Sequence, residues 1–175
     1  MSAPDSRANR PPLVQEVIRG LLNRKVLAAY RHRLAVARRL GMTESEVTAL
    51  AYLAQGALTP RQLGERLLLT SGGVTALLHR LERAGHVTRE RHPNDKRSVV
   101  LRADPAIIEQ ASQCYDHLTG ATDEVTAKLS GDEQDIVRGF LLEIAEASEE
   151  SVDAMLAGID EAERPPDDDP APIWA

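Results

Sequence analysis

The stretch from Thr59 to Ala103 constrains this chain most: two short capped helices follow one another closely, and an arginine-rich pair of strand-like runs comes next. Thr59 suits an N-cap, Pro60 suits the first helical position, where its missing N–H is not needed, and Gln62 completes a capping box. A helix is therefore predicted from Pro60 to about Leu68. Leu63 and Leu67 lie one turn apart, and the small Gly64 falls where a second helix must come close. Thr70 caps that second helix, whose apolar residues Val74, Leu77, Leu78 and Leu81 recur about every 3.6 residues. It ends at about Ala84, before Gly85 in the left-handed slot that helix C-termini favour. Beyond it, residues 86–92 and 98–102 read as strands around Pro93-Asn94-Asp95-Lys96-Arg97, which has turn chemistry at its head and a basic tip.

Two helices and a basic hairpin in that order define a winged helix-turn-helix, so the expected partner is duplex DNA. The second helix carries Ser71, Gly72, Thr75, Ala76, His79 and Arg80 opposite its apolar side. These residues are small or hydrogen-bonding, as insertion into a major groove about 12 Å wide requires. The expected DNA-contacting set is Thr70, Ser71, Gly72, Gly73, Thr75, Ala76, His79 and Arg80, with Arg91, Asp95, Lys96 and Arg97 in the wing. Gly72 and Gly73 are poor helix formers whose bare backbone can approach DNA. Thr75 and Arg80 are expected to set sequence preference, and Arg97 to supply affinity through the minor groove or a phosphate. Arg61 and Arg66 are further phosphate candidates, although surface arginines commonly stay solvated.

Leu81-Glu82-Arg83-Ala84-Gly85 at the end of the second helix and Asp95-Lys96-Arg97 in the wing resemble the MarR-type transcriptional regulators, whose pattern pairs Leu-Glu-Arg-x-Gly with Asp-x-Arg. The resemblance covers roughly residues 13–157. It implies a mainly α fold with a small two- or three-stranded β wing and long N- and C-terminal dimerisation helices. It also implies a sequence-specific repressor of nearby genes that a small-molecule ligand releases from DNA, and a salt bridge from Asp95 that holds the wing arginine. In the turn between the two helices the family often carries Gly, and this chain has Leu68. Leucine at a positive φ is strained, so the expectation is an altered turn geometry or a residue that is not left-handed.

The flanks supply the rest of the architecture. Apolar residues keep helical spacing from Leu13 to Leu40, and Thr43-Glu44-Ser45-Glu46 is a capping box for a helix ending near Gly56. Asp104-Pro105 starts what reads as one long helix through Val125, and Ser130-Gly131-Asp132-Glu133 caps another. The predicted divisions are a disordered N-terminus over 1–10, a dimerisation helix over 11–42 and the winged domain over 43–103. C-terminal dimerisation helices follow over 104–158, and an acidic, proline-containing disordered tail over 159–175. The first and last helices are more apolar than a small winged domain needs, which points to a homodimer.

The net charge of −6 over 175 residues seems unsuited to DNA until it is divided: +5 in residues 1–57, +5 in 58–103 and −16 in 104–175. The DNA-reading part is basic, and the acidity belongs to a segment that can face away from phosphates. One Phe, one Trp and three Tyr imply an aliphatic core and no stacking platform for single strands. No apolar run spans a membrane or forms a signal sequence, and the lone Cys114 suits a reducing compartment, so a cytoplasmic protein is expected.

No enzyme motif, cofactor site or metal-ligand spacing stands out. Two other readings remain open beside the repressor: a winged-helix module that binds only protein, and a thiol-responsive regulator using Cys114 near His117. Family analogy suggests a small aromatic or anionic effector, for which Tyr30, Tyr52 and Tyr115 are the candidate lining residues.

Overall fold

A computed structural model describes residues 13–92 and 95–163, with the backbone alone at 92, 95–97 and 160–163. The chain divides into two compact units, residues 1–117 and 118–175. The first opens with α1 (Val14–Leu40), exposed along most of its length and buried at Val36 and Ala37, which pack on Val47. Gly41 at φ 67° turns the chain out of it. In α2 (Glu44–Gln55) and α3 (Pro60–Leu67) both predicted capping boxes form: Thr43 pairs with Glu46, and Thr59 with Gln62. In α4 (Ser71–Arg83), Thr70 Oγ1 accepts the Gly73 N–H at 3.2 Å.

Gly85, at φ 74°, ends α4 as the sequence predicts. The Gly85 and His86 N–H groups return to the Glu82 and Leu81 carbonyls at 3.0 and 2.9 Å, a Schellman closure. The end of α3 repeats that pattern with a leucine in the glycine slot. Leu68 and Leu69 donate to the Glu65 and Gly64 carbonyls at 3.3 and 3.0 Å, with Leu68 at φ 53°, ψ 41°. The expectation that this turn would differ, or that Leu68 would avoid the left-handed region, is corrected: the hydrogen bonds of the closure hold the leucine there.

The core of this unit is aliphatic, built on Leu50, Leu63, Leu77, Leu78, Leu81 and Leu101, all fully buried. Each such side chain contributes roughly 1.5–3 kcal/mol relative to leaving it exposed. Gly64 is buried where α3 meets α4: a Cβ there would lie 2.7 Å from Val74 Cγ2. The close approach expected of Gly64 is thus present.

The wing is an antiparallel pair, β1 (Val87–His92) and β2 (Asp95–Ala103), with Val87 opposite Ala103 and Arg91 opposite Val99. A register shift between Arg91 and His92 lets His92 pair with Asp95, so Asp95, Lys96 and Arg97 belong to β2 and the expected five-residue turn is shorter. A third strand is reduced to one bridge, Leu58 to Leu101.

The long helix expected after the wing is two helices, α5 (Pro105–Gln113) and α6 (Asp116–Thr126). At the break the Cys114 and Tyr115 N–H groups tighten onto the Ala111 and Ser112 carbonyls at 3.1 and 2.7 Å. The Cys114 carbonyl, turned out of the helix, pairs with His32 Nε2 at 3.1 Å, and the His32 ring lies 4.5 Å from that of Tyr115. A contact from α1, remote in sequence, thus holds an interruption that local periodicity does not show.

In the second unit, α7 (Gly131–Glu163) starts at the predicted Ser130–Glu133 box, whose Ser130 N–H and hydroxyl hold the Glu133 carboxyl below its usual pKa. The helix does not stop at Gly158 but continues through Ile159 to Glu163, which moves the start of the expected tail. The rest of that tail and the expected disordered N-terminus lie outside the described residues. Ile136, Val137, Phe140, Leu141, Val152 and Met155 are exposed along α7. Among the described residues, no helix is long and apolar enough to cross a membrane.

Candidate nucleic-acid interface

The two faces of α4 have opposite fates. Val74, Leu77, Leu78 and Leu81 are buried, while Ser71, Gly72, Thr75, Ala76, His79 and Arg80 line one open depression. The structure therefore brings together six of the residues expected on this helix. Thr70 and Gly73 are engaged with each other in the N-cap, and Gly73 also faces Leu69, with its Cβ position 3.6 Å from Leu69 Cβ. Gly72 has no atom within 4 Å of its Cβ position, so its bare backbone faces open space. Thr75 Oγ1 donates to the Ser71 carbonyl at 2.9 Å, which leaves its lone pairs and methyl group for a partner.

Arg80 is not a free side chain. Its Nε donates to Glu46 Oε1 at 2.7 Å, joining α4 to α2. Glu46 Oε2 meanwhile accepts the Thr43 N–H at 2.7 Å. Burial by itself raises the pKa of this carboxyl, but the Thr43 backbone bond, the Arg80 bond and the Arg80 charge together hold it below the ordinary value. The sequence places Glu46 in a capping box, and nothing local signals a partner 34 residues away.

In the wing, Arg91 is exposed on β1. Arg89 is paired with Glu82, and Arg102 with Glu90 at 2.6 Å. The side chains of Asp95, Lys96 and Arg97, and with them the expected Asp95 bridge, lie outside the described residues. On α3, Arg61 pairs with Glu65 at 2.8 Å and Arg66 lies 5.3 Å over the Tyr52 ring, so both have intramolecular partners.

The three candidate effector tyrosines have different surroundings. Tyr115 lines a small apolar pocket of about 110 Å³ with Leu40, Val47, Leu50, Ile108 and Ser112. Tyr52 packs on the core under Arg66, and Tyr30 is exposed on α1. Cys114 and His117 share a more open depression of about 350 Å³ with His32 and Arg39, and Cys114 Sγ lies 3.4 Å from the Gln110 carbonyl. Among the described residues no three His, Cys, Asp or Glu side chains gather as a metal would require.

A helix pair whose second member presents a polar face beside a two-stranded wing defines a winged helix-turn-helix DNA-binding regulator. The MarR family model matches residues 40–98 of the chain. YcgE, an uncharacterized HTH-type transcriptional regulator of Bacillus subtilis (strain 168), is 30% identical over 156 residues, which cover 89% of this chain and 99% of YcgE. The chain belongs to the MarR family of winged helix-turn-helix transcriptional regulators, which are not enzymes. Solved structures share the fold. A point mutant of MepR from a multidrug resistant S. aureus clinical isolate superposes with a TM-score of 0.60 at 16% identity, over 78% of this chain and 99% of that one. The regulator Tm0710 of Thermotoga maritima gives 0.57 at 21% identity, over 79% and 98%.

Proposed function

We propose that this regulator is a homodimeric repressor that binds a pseudo-palindromic operator, with α4 in the major groove and the wing in the minor groove or on phosphate. The observation that carries this reading is the division of α4 into a buried leucine-rich side and an open polar side holding Thr75, His79 and Arg80. Exposed apolar residues on α1, such as Val17, Leu21 and Leu27, and those along α7 supply surface for a second copy. Two recognition helices related by a twofold axis must meet one face of the duplex, which places half-sites about 10 bp apart.

Release by a small effector is part of the same reading. The pocket beside Tyr115, about 110 Å³, is nearer in size to the roughly 150 Å³ cavity that takes benzene than to the ~300 Å³ or more of a drug-sized site. It suits a single small ring.

Light scattering with hydroxyl-radical footprinting on bound genomic fragments tests the proposal. A dimer protecting two segments about one helical turn apart supports it. A monomer, or duplex binding without a footprint, opposes it. Arg97→Ala examines the wing separately and is expected to cost ~1–3 kcal/mol per site, with the salt slope falling by ~1 per lost phosphate contact.

A further inference from the structure

The structure assigns Glu46, a residue outside the helix-turn-helix pair, the task of orienting Arg80 for sequence discrimination; this rests on the proposal that the open face of α4 reads duplex DNA. Glu46 is 7% exposed, whereas the Arg80 side chain is half exposed and lines the α4 depression. Glu46 Oε1 holds Arg80 Nε at 2.7 Å, and Oε2 is fixed by the Thr43 N–H at the same distance. The carboxylate is therefore anchored to the α2 N-terminus before it touches the arginine.

A guanidinium is planar and carries five N–H donors in a rigid fork. Binding the Nε edge fixes the plane and leaves the terminal nitrogens, the groups that grip base edges or phosphate. Part of the ordering that this long, rotamer-rich side chain must undergo is thereby met before DNA arrives. The Arg61–Glu65 pair shows the contrast: both members are exposed and one helical turn apart, an arrangement that contributes little.

The arrangement has an opposing consequence. A carboxylate near the interface repels phosphates, so Glu46 should weaken sequence-independent binding while sharpening choice among sequences. A residue that served the fold alone would not split the two in this way.

Glu46→Gln separates the roles. Gln at this position can keep the cap, as Gln62 does at Thr59 with a 2.9 Å bond. Its amide nitrogen then faces Arg80 Nε, donor against donor. The probes are one duplex selected by the wild-type protein from a randomised library and a shuffled duplex of equal composition, compared by fluorescence anisotropy at one salt concentration. The expected result is a selected-to-shuffled affinity ratio reduced about tenfold, with shuffled binding equal or tighter, and no further change of that ratio by Glu46→Gln in an Arg80→Ala background. If Arg80→Ala lowers the ratio and Glu46→Gln does not, the positioning role is overturned alone. Equal weakening on both duplexes also overturns it, in favour of a purely structural role. If Arg80→Ala leaves the ratio unchanged, the reading of Arg80 falls and this inference falls with it.

Discussion

Replacing Gly64 with alanine should destabilise the protein, against the ordinary rule for helices. In a helix interior Gly→Ala stabilises by about 0.8–1 kcal/mol. Here the new Cβ would sit 2.7 Å from Val74 Cγ2 and 3.6 Å from the Leu69 carbonyl oxygen. Carbon atoms prefer about 3.5–4.0 Å, so roughly 1 Å must be made up. Val74 is buried, helical and β-branched, with one strongly favoured rotamer, so its methyl cannot swing aside. Overpacking of this kind costs about 1–3 kcal/mol, which leaves a net loss of about 0–2 kcal/mol after the propensity gain. Urea unfolding by circular dichroism at fixed protein concentration measures it as a lower midpoint with an unchanged m-value. Val74→Ala removes the offending methyl, so the double mutant should recover about 1 kcal/mol relative to additivity. A Gly64→Ala protein as stable as wild type or more so, with no coupling to Val74→Ala, would refute the close α3–α4 contact.

Three further outcomes follow from particular residues. At position 68, Gly should be more stable than Ala by about 1 kcal/mol, because the left-handed backbone costs a Cβ-bearing residue about 1–2 kcal/mol; an Ala variant as stable as the Gly variant in urea would contradict the strain. Ionised Glu46 contributes stability that is present above its unfolded pKa, near the reference value of 4.5, and is lost as pH falls through the depressed folded value. The acid limb of the stability profile should therefore flatten in Glu46→Gln, and an unchanged limb would argue against the buried pair. Gly72→Ala meets no atom within 4 Å in the protein, so it should leave the urea midpoint unaltered or raised while weakening binding to the selected duplex; unimpaired binding would show that DNA does not approach this backbone.

Features encoded within a few residues were legible in the sequence. The Thr43–Glu46 and Thr59–Gln62 boxes, the Thr70 cap and the left-handed Gly85 all stand where local chemistry puts them, because each is a bargain between backbone groups one turn apart. Long-range partners were not legible. The α5–α6 break is held by His32, the Arg80 guanidinium by Glu46, and the Tyr52 ring lies beneath Arg66, and no periodicity announces such pairings. Leu68 shows a closure overriding residue preference. The extension of α7 to Glu163 was obscured by Pro165 and Pro166, whose composition colours the segment before them although Ile159 to Glu163 can continue a helix. Family analogy, not local chemistry, groups the tyrosines, and of the three only Tyr115 lines the apolar pocket.

The recognition role of α4 is tested by repeating the randomised-duplex selection with Thr75→Val, a change of shape-conserving kind at the centre of the open face. The Thr75 hydroxyl oxygen keeps lone pairs available outward, and valine removes them. Wild type should select a pseudo-palindrome, and the variant should lose or change preference at one symmetry-related pair of positions, about one helical turn apart, with the remaining positions intact. Identical selected sequences from the two proteins, at equal affinity, would mean that Thr75 and the face around it do not read DNA.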